Sequence, residues 1–436
     1  MGFPDNFIWG AASAAHQIEG AYLEAGKGLG IWDALHEGHI KHHENGNVAC
    51  DHFHRYKEDI SIMKKLGLKS YRFSVSWPRI VPEEGKINKE GLQFYINLVN
   101  ELKQADIEPI CTLFHWNLPV WIHEQGGWNC EKAAFYFAEY TKIVVQALSD
   151  QVKYWITINE PQCFIGLGYN AGKHAPFLQL PEQISAISRN VMLAHGRSVQ
   201  TIRTYAKQAA MIGMAPTGGC AIPTSNTKLE IERAREATYS DKAGVMGNKW
   251  WADPMVLGEV PEALDGILSE QDMEVIHQPL DFYAFNIYYA ANYAEQNDAR
   301  NPLVYPGMAR TSMGWPITPD VLYWAPKFHY ERYHLPVLIS ENGMANNDFV
   351  MEDGRVHDPQ RTDYIRSYLR CLRKAIDDGV PTIGYLYWSI MDNFEWAEGY
   401  DKRFGLIYID YRTQERVIKD SAYDYAEIIR NNGNNL

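Results

Sequence analysis

Two glutamates in the sequence follow apolar, strand-like runs and have the side chain that acid–base or nucleophilic chemistry needs. Asn159 and Glu160 come after the run YWITI (154–158), and Glu341 comes after the run VLIS (337–340). Runs rich in β-branched and aromatic residues predict buried strands. Pro161 directly follows Glu160 and cannot continue a strand ladder. The sequence therefore predicts two carboxyl groups, each at the end of a buried strand.

A pair of carboxyl groups that face each other across a pocket is what glycosidic bond cleavage requires. One group must stay protonated to donate to the leaving oxygen, and the other must be ionised to meet the positive charge that develops at the anomeric carbon. Asn159 precedes Glu160 and offers an amide to a sugar hydroxyl, whereas Arg72 and Tyr288 are natural partners for an ionised Glu341. We therefore assign Glu160 as the acid/base and Glu341 as the nucleophile. For either glutamate alone, a helix N-cap or a surface ion pair is an equally good interpretation.

The elements that would position these residues form a repeating pattern of short apolar runs separated by amphipathic segments. Segments 56–67 and 364–379 have helical periodicity and end in glycine, as helix C-termini do. Eight strand–helix units predict an α/β fold, a closed (β/α)8 TIM barrel with long loops. The predicted strands are 7–12, 70–75, 110–114, 154–158, 211–215, 281–286, 337–340 and 382–388.

The alternative architecture is an open doubly wound sheet, but no glycine-rich phosphate-binding motif follows any of the runs. The absence of a Pro/Ser-rich linker predicts one catalytic domain over residues 1–436. In a barrel of this kind the active site forms at the C-terminal ends of the strands. Polar or aromatic groups lie at that position in seven of the eight units, which chance placement would not produce.

Composition excludes several classes of protein. The formal charge of −13 argues against a nucleic-acid partner, and the lack of a long apolar run argues against a membrane span. The six cysteines show no paired spacing, so neither a disulfide framework nor a metal site is predicted, and no cofactor is implied. The five histidines of segment 39–54 have no metal-ligand spacing and are interpreted as part of a loop that leads into a helix. With no basic leader at the N-terminus, we expect a cytoplasmic protein.

Six motifs lie along the chain in this order: Q17-I-E-G, F114-H-W, T157-I-N-E-P, N286-I-Y-Y, I339-S-E-N-G and D392-N-F-E-W. Together they resemble glycoside hydrolase family 1, the β-glucosidase family. The resemblance covers essentially the whole chain, and the order of the motifs is that of the family. It implies a (β/α)8 barrel that cleaves β-linked sugars with retention of configuration, for which the two carboxyl groups lie about 5–5.5 Å apart.

The resemblance also implies roles for single residues. It agrees with the assignment of Glu160 and Glu341, makes Asn286 and Tyr288 positioning residues for the nucleophile, and makes Arg72 the group that holds the nucleophile ionised. Trp388 would form the stacking floor for the sugar. The remaining substrate-binding residues would be Gln17, His115, Trp116, Asn159, Glu395, Trp396 and Phe404.

Glu395 also separates two branches of the family. Phospho-β-glycosidases place small or hydroxyl residues where this chain has Glu395 and Trp396, and a carboxylate would repel a phosphate dianion. A neutral sugar is therefore expected. Two positions depart from the family pattern: His16 stands where tyrosine is frequent, and Cys163 stands where a larger residue is common. Both are expected beside the pocket rather than in it.

The sequence predicts a retaining exo-β-glucosidase that acts on β-linked oligosaccharides, as in cellobiose degradation, or on aryl and alkyl β-glycosides. A sugar-binding barrel without turnover and a transglycosidase are the alternatives. The preference among glucose, galactose and fucose, the natural aglycone and the oligomeric state stay open.

Overall fold

Eight parallel strands form the central sheet of the computed structural model, which describes residues 2–290 and 305–436. Each of the eight predicted runs is a strand, with bounds that differ by a few residues at most. The strands are β1 Ile8–Ala12, β2 Ser70–Ser74, β3 Glu108–Phe114, β4 Tyr154–Asn159, β5 Met211–Ala215, β6 Tyr283–Asn286, β7 Val337–Asn342 and β8 Thr382–Trp388.

The strands are hydrogen-bonded in the order β5-β4-β3-β2-β1-β8-β7-β6. The two outermost strands of this order, β5 and β6, are joined by backbone bonds near their ends. Asp281 N donates to Ile212 O at 2.8 Å, and Asn286 N donates to Pro216 O at 3.0 Å. The sheet therefore closes on itself, and the prediction of a (β/α)8 barrel is confirmed.

Fourteen α-helices of the described residues surround the strands. The two helical segments predicted from periodicity lie inside α3 and α13, and the glycines that follow them, Gly67 and Gly379, have φ of 74° and 94°. A left-handed backbone of this kind suits glycine, which has no Cβ to clash. The helices are α1 Ala15–Ile18, α2 Ile31–Ala34, α3 His52–Leu66, α4 Trp77–Ile80, α5 Lys89–Gln104, α6 Val120–His123, α7 Lys132–Leu148, α8 Ile184–Tyr205, α9 Lys228–Thr238, α10 Asn248–Ala252, α11 Glu270–Ile276, α12 Val321–Tyr333, α13 Pro359–Asp377 and α14 Asp420–Arg430.

The strands separate two apolar cores. Neighbouring residues along a strand point to opposite faces, so Ile110 packs in the barrel interior while Cys111 packs against the helices outside. Leu338 and Ile339 of β7 divide between the two cores in the same way. Over most of each strand, this alternation alone therefore decides which side chains face the barrel interior.

Two strands interrupt this alternation just before the glutamates. Ile156 of β4 pairs with Gly213, and Asn159 pairs with Ala215, so three steps along β4 oppose two along β5. The one extra residue is a β-bulge, which re-aims the side chains that follow it. Ile156 accordingly packs inside the barrel and Ile158 outside, although they are two residues apart.

A second bulge lies in β7. Ile339 pairs with Phe285, and Glu341 pairs with Asn286, so two steps along β7 oppose one along β6. Ile339 packs in the outer core, yet Glu341, two residues later, lines an interior cavity. Both glutamates singled out in the sequence thus owe their direction to one extra residue in their strand.

A hairpin near the C-terminal end of the chain, β9 Ile407–Asp410 and β10 Glu415–Ile418, leads to a buried lysine. Lys419 Nζ donates to Asp348 Oδ2 and to Asp392 Oδ1, both at 2.6 Å. Asp348 follows β7, and Asp392 lies in segment 389–405, which follows β8. Lys419 therefore ties together two loops at the C-terminal end of the barrel.

No helix within residues 2–290 and 305–436 has the length and apolarity that crossing a membrane would need. The same part of the chain contains no cluster of three or more His, Cys, Asp or Glu side chains suited to a metal ion, including the histidine-rich segment 39–54.

Candidate active site

A cavity of about 440 Å³ opens at the C-terminal ends of the barrel strands. Ten of the thirteen site residues predicted from the sequence line it. The other three, Gln17, Arg72 and Asn159, are fully buried directly behind its wall and contact the lining residues. The ten lining residues are His115, Trp116, Glu160, Asn286, Tyr288, Glu341, Trp388, Glu395, Trp396 and Phe404.

Glu341 lies between two donors that stabilise its ionised form. Arg72 Nη1 donates to Glu341 Oε1 at 2.6 Å, and Tyr288 Oη donates to Glu341 Oε2 at 2.6 Å. Burial raises the pKa of Glu341, and the Arg72 charge and the Tyr288 hydroxyl oppose that rise. Both oxygens of the carboxylate therefore have a hydrogen-bond donor, one of them cationic, as an ionised carboxylate requires in a buried site.

Glu160 lies in a less polar environment. Asn286 Nδ2 donates to Glu160 Oε1 at 2.9 Å. Burial and the negative charge of Glu341 raise the pKa of Glu160 to about 7. Its backbone has φ of 43°, a left-handed conformation that is rare for a side-chain-bearing residue and that clusters at functional sites. Glu341 thus has the two donors that favour its ionised form, whereas Glu160 has a pKa near neutrality and keeps its proton more readily.

A chain of amides and a guanidinium connects the two glutamates. Asn159 Oδ1 accepts from Arg72 Nη2 at 2.6 Å and from Asn286 Nδ2 at 2.9 Å. Asn286 Oδ1 in turn accepts from Ser340 Oγ at 2.7 Å. Each acceptor oxygen in this network is used, and Asn159 Nδ2 faces His115 Nε2 at 3.2 Å. The network fixes the side-chain rotamers of the residues that hold the two carboxyl groups.

Glu395 is a third carboxyl group in the cavity wall. Gln17 Nε2 lies 3.3 Å from Glu395 Oε2 and also donates to Asn393 Oδ1 at 2.9 Å. Gln17 Oε1 is buried and has no hydrogen-bond partner among the described residues. Burial and the charges of Glu341 and Glu160 raise the pKa of Glu395 to about 8. Gln17 and Glu395 together offer acceptors to hydroxyl groups of a ligand.

We expect Glu395→Gln to stabilise the unliganded protein at alkaline pH. The folded-state pKa of about 8 lies above the ordinary value of 4.5, so ionising Glu395 in the folded protein costs stability, and the whole cost is present above pH 8. The melting temperature of the variant should exceed that of the wild type by on the order of 2 °C at pH 8.5, and by less at pH 5.5. Differential scanning calorimetry at the two pH values measures this difference.

Glu398→Gln is the matched control for that measurement. The Glu398 carboxylate lies on the same segment, 3.8 Å from Lys41 Nζ and 3.7 Å from Lys402 Nζ. Its removal takes away favourable charge pairs and should give no gain at pH 8.5. An equal gain for Glu395→Gln at both pH values would contradict the expected pH-dependent effect.

Aromatic rings form one side of the cavity. The rings of His115 and Trp388 stack at 5.7 Å with an angle of 17°, and those of His115 and Trp396 stack at 5.9 Å with an angle of 14°. Trp116 packs against Trp396 at 4.7 Å and donates from Nε1 to Asn159 O at 3.0 Å. Burial and the charge of Arg72 lower the pKa of His115 well below its usual value, so that its imidazole is neutral. The wall is therefore flat, apolar and uncharged.

Cys163 and His16 were both expected beside the pocket rather than in it. Cys163 lines the cavity, and so the expectation that it lies beside the pocket was wrong. The π-helical segment Gln162–Asn170 that follows Glu160 turns its side chain inward. His16 does lie behind the wall, where its ring stacks on Trp396 at 5.7 Å. Burial lowers the pKa of His16 to about 4, so this ring is also neutral.

The sequence did not identify the residues that line the outer part of the cavity. They come from loops without a recognisable motif. Of the ten tryptophans to which the sequence gave no role in the site, Trp315 alone lines the cavity among the described residues. The other lining residues that were not predicted are Leu167, His174, Thr217, Gly219, Met246, Ile287, Tyr289, Met313, Ala397 and Glu398.

Comparison with known proteins gives consistent matches over the whole chain. The model of glycosyl hydrolase family 1 matches residues 1–434. A 1,4-beta-D-glucan glucohydrolase from Thermotoga neapolitana is 41% identical over 99% of this chain and 99% of its own. A bifunctional beta-D-glucosidase/beta-D-fucosidase from Bifidobacterium breve is 37% identical over 98% of each chain. The structure of a beta-glucosidase from Thermotoga maritima in complex with glucoimidazole has a TM-score of 0.90 at 40% identity, covering 99% of both chains.

Proposed function

Because the chain belongs to glycosyl hydrolase family 1, and is therefore a retaining β-glycoside hydrolase, we propose that it removes terminal β-D-glucosyl residues with Glu160 as acid/base and Glu341 as nucleophile. The observation that carries this proposal is the unequal environment of the two carboxyl groups. Glu341 receives hydrogen bonds from Arg72 and Tyr288, whereas the pKa of Glu160 is raised to about 7.

In the first step, a carboxylate oxygen of Glu341 attacks the anomeric carbon of the sugar. The bond from that carbon to the glycosidic oxygen breaks, and the proton of Glu160 passes to the departing oxygen. The products are a free alcohol and a glycosyl ester of Glu341. Arg72, which is buried and cationic, stabilises the carboxylate before attack.

In the second step, water replaces the alcohol. Glu160, now ionised, takes a proton from the water. At the same time the oxygen of the water attacks the anomeric carbon from the face that the alcohol left. The ester bond breaks, which returns Glu341 to its ionised form, and two inversions together retain the configuration.

The change of role of Glu160 follows from its surroundings. The negative charge of Glu341 is one of the causes that raise the pKa of Glu160. Formation of the ester removes that charge, so the pKa of Glu160 falls once the first step is complete. The residue is thus an acid when a proton is needed and a base when water arrives.

The proposed sugar subsite is formed by polar groups opposite an aromatic wall. Glu395 in the cavity wall offers a carboxyl group. Directly behind the wall, Gln17 Oε1 is an unused acceptor and Asn159 Nδ2 has a proton beyond its contact with His115. A site built to bond hydroxyl groups rejects sugars that lack them. Trp388 supplies the apolar face for the sugar ring, and Trp396 and Phe404 complete the wall.

The proposal is tested with nitrophenyl β-glycosides of glucose, fucose, galactose and 6-phosphoglucose. We expect rapid release from the glucoside, and activity on the fucoside and galactoside within about 100-fold of it. Release from the phosphorylated sugar should be at least about 100-fold lower, because Glu395 offers no positive charge to a dianion and repels it when ionised. The comparison of kcat/KM values gives these ratios. The bifunctional name of the Bifidobacterium breve relative supports inclusion of the fucoside.

The same purification of Glu341→Ala should show no release, which excludes a contaminating hydrolase. Activity confined to 6-phosphoglucoside would contradict the proposed role of Glu395. Sugar binding without release from any substrate would favour a binding protein, an alternative that the comparisons do not favour. A ratio of transfer to hydrolysis that stays high at low acceptor concentration would favour the transglycosidase.

We also propose that residues 1–436 form one catalytic domain and that the protein works in the cytoplasm without nucleic acid as a partner. All six cysteines are free thiols, which fits a reducing compartment. The net charge of −13 does not suit a polyanionic partner. Cell fractionation with detection of the native protein tests the location.

A further inference from the structure

The outer half of the cavity has a different character from the half that holds the carboxyl groups. Five of its lining residues have large apolar or aromatic side chains: Leu167, Met246, Tyr289, Met313 and Trp315. They come from the segments that follow β4, β5 and β6 and from the stretch before α12. This part of the cavity is where the group beyond the glycosidic bond must lie if Glu160 and Glu341 act as proposed.

Trp315 joins this outer wall to the sugar subsite. Its ring lies 5.1 Å from that of Tyr288 and 6.0 Å from that of Phe404, both of which belong to the inner site. On its other side it lies 5.4 Å from the ring of Tyr289. A continuous aromatic surface therefore runs outward from the nucleophile's hydrogen-bond partner to the mouth of the cavity.

Apolar side chains stay exposed at this mouth. Met246 is 44% exposed and Tyr289 is 38% exposed, and Met246 lies against the backbone of Gly166 on the segment that follows Glu160. Exposed apolar groups that line a groove mark a binding surface for an apolar partner. Methionine adapts its shape to different ligands because its side chain is unbranched and polarizable.

Few polar groups line the outer wall among the described residues: Cys163, His174, Thr217 and Glu398, besides the hydroxyl of Tyr289. Burial lowers the pKa of His174 to about 4 and raises the pKa of the Cys163 thiol, so both groups are uncharged near neutral pH. The Glu398 carboxylate lies near two lysines, Lys41 and Lys402. A sugar in this position would exchange several hydrogen bonds with water for contacts with carbon and sulfur, which costs free energy.

We propose that the outer subsite selects an apolar aglycone, aryl or alkyl, over a second sugar unit. The inference rests on the proposed function and specifies the substrate class of the same site. Trp315 and Tyr289 stack on or flank the aglycone, and Met246 and Met313 pack around it.

The test compares 2-phenylethyl β-D-glucoside, methyl β-D-glucoside and cellobiose. All three release an unactivated alcohol, so differences in kcat/KM report on the aglycone subsite rather than on leaving-group ability. We expect the phenylethyl substrate to exceed the methyl substrate by about 10-fold or more, and to exceed cellobiose. Met246→Gln and Met313→Gln keep the size of the side chain and add polarity, and each should lower the phenylethyl-to-methyl ratio about 3- to 10-fold.

Met351→Gln is the matched control, because Met351 is 39% exposed and does not line the cavity; it should leave the ratio unchanged. Cellobiose cleaved faster than the phenylethyl substrate, or a ratio unaffected by both cavity variants, would overturn the inference while leaving the proposed function intact. No turnover of any of the three glucosides would overturn the proposed function as well.

Discussion

Glu341→Ala is expected to lower kcat by about 10⁵-fold, because the variant has no group that can form the glycosyl ester. Sodium azide should restore turnover of an activated aryl β-glucoside, since the shortened side chain leaves space for a small anion on the face that Glu341 occupied. The product should be the α-glucosyl azide, because a single displacement inverts the configuration. Proton NMR of the product reads the anomeric configuration directly.

The buried Arg72 loses its ionised partner in this variant, so folding must be checked independently of activity. Far-ultraviolet circular dichroism and the melting temperature serve this purpose, and Glu341→Gln, which keeps the size and an acceptor oxygen for Arg72, is the second variant. A β-glucosyl azide from Glu341→Ala, or turnover within about 100-fold of the wild type, would show that another group is the nucleophile.

Glu160→Gln is expected to have an effect that depends on the leaving group. For methyl β-glucoside, whose alcohol needs a proton, kcat/KM should fall by about 10³- to 10⁴-fold. For dinitrophenyl β-glucoside, whose phenolate leaves without protonation, kcat/KM should fall by less than about 10-fold. Steady-state kinetics on both substrates measure the two losses.

The pH dependence supplies a second measurement on this residue. The pKa of Glu160 is raised to about 7, and an acid must be protonated to act, so wild-type kcat/KM for methyl β-glucoside should fall as the pH rises through about 7. The alkaline limb should be absent in Glu160→Gln, whose side chain does not titrate. Azide added to Glu160→Ala should give the β-glucosyl azide, the opposite configuration from Glu341→Ala. Equal losses for both leaving groups would refute the assignment of Glu160 as the acid.

Most of the architecture was predictable from the sequence because it depends on local signals. The eight strands are runs of β-branched and aromatic residues, and α3 and α13 end near glycines with left-handed backbones. The hairpin of β9 and β10 was not predicted as two strands. Its four-residue strands are short, and β10, ERVI, is only partly buried, so it lacks the apolar run that marked the barrel strands.

The inner site was predictable because its chemistry requires particular residue types at strand ends. The sequence did not show in which direction the side chains at the strand ends point. Strict alternation from Ile156 would turn Asn159 away from the barrel axis, and the bulge that corrects this is a relation between β4 and β5. The register describes which residues of two neighbouring strands are paired, so the sequence of one strand does not specify it.

The outer site was not predictable for a related reason. Met246, Met313 and Trp315 lie on loops of unequal length, and their meeting depends on how those loops pack. Cys163 illustrates the same limit, since its exposure to the cavity follows from the π-helical geometry after Glu160. The proposed aglycone site thus depends on tertiary packing, whereas the proposed catalytic pair is predicted from local sequence.

The position of Lys419 has a consequence for the order of events during biosynthesis. Translation produces all eight barrel strands before it reaches this lysine, and segment 389–405, with Glu395 and Trp396, is also made first. Asp348 and Asp392 each have another cationic partner that is made earlier, Arg361 and Arg403 respectively. The lysine that joins the two carboxylates to each other is translated only after the hairpin. The bridge between the loop after β7 and segment 389–405 is therefore one of the last contacts that translation makes available to the barrel.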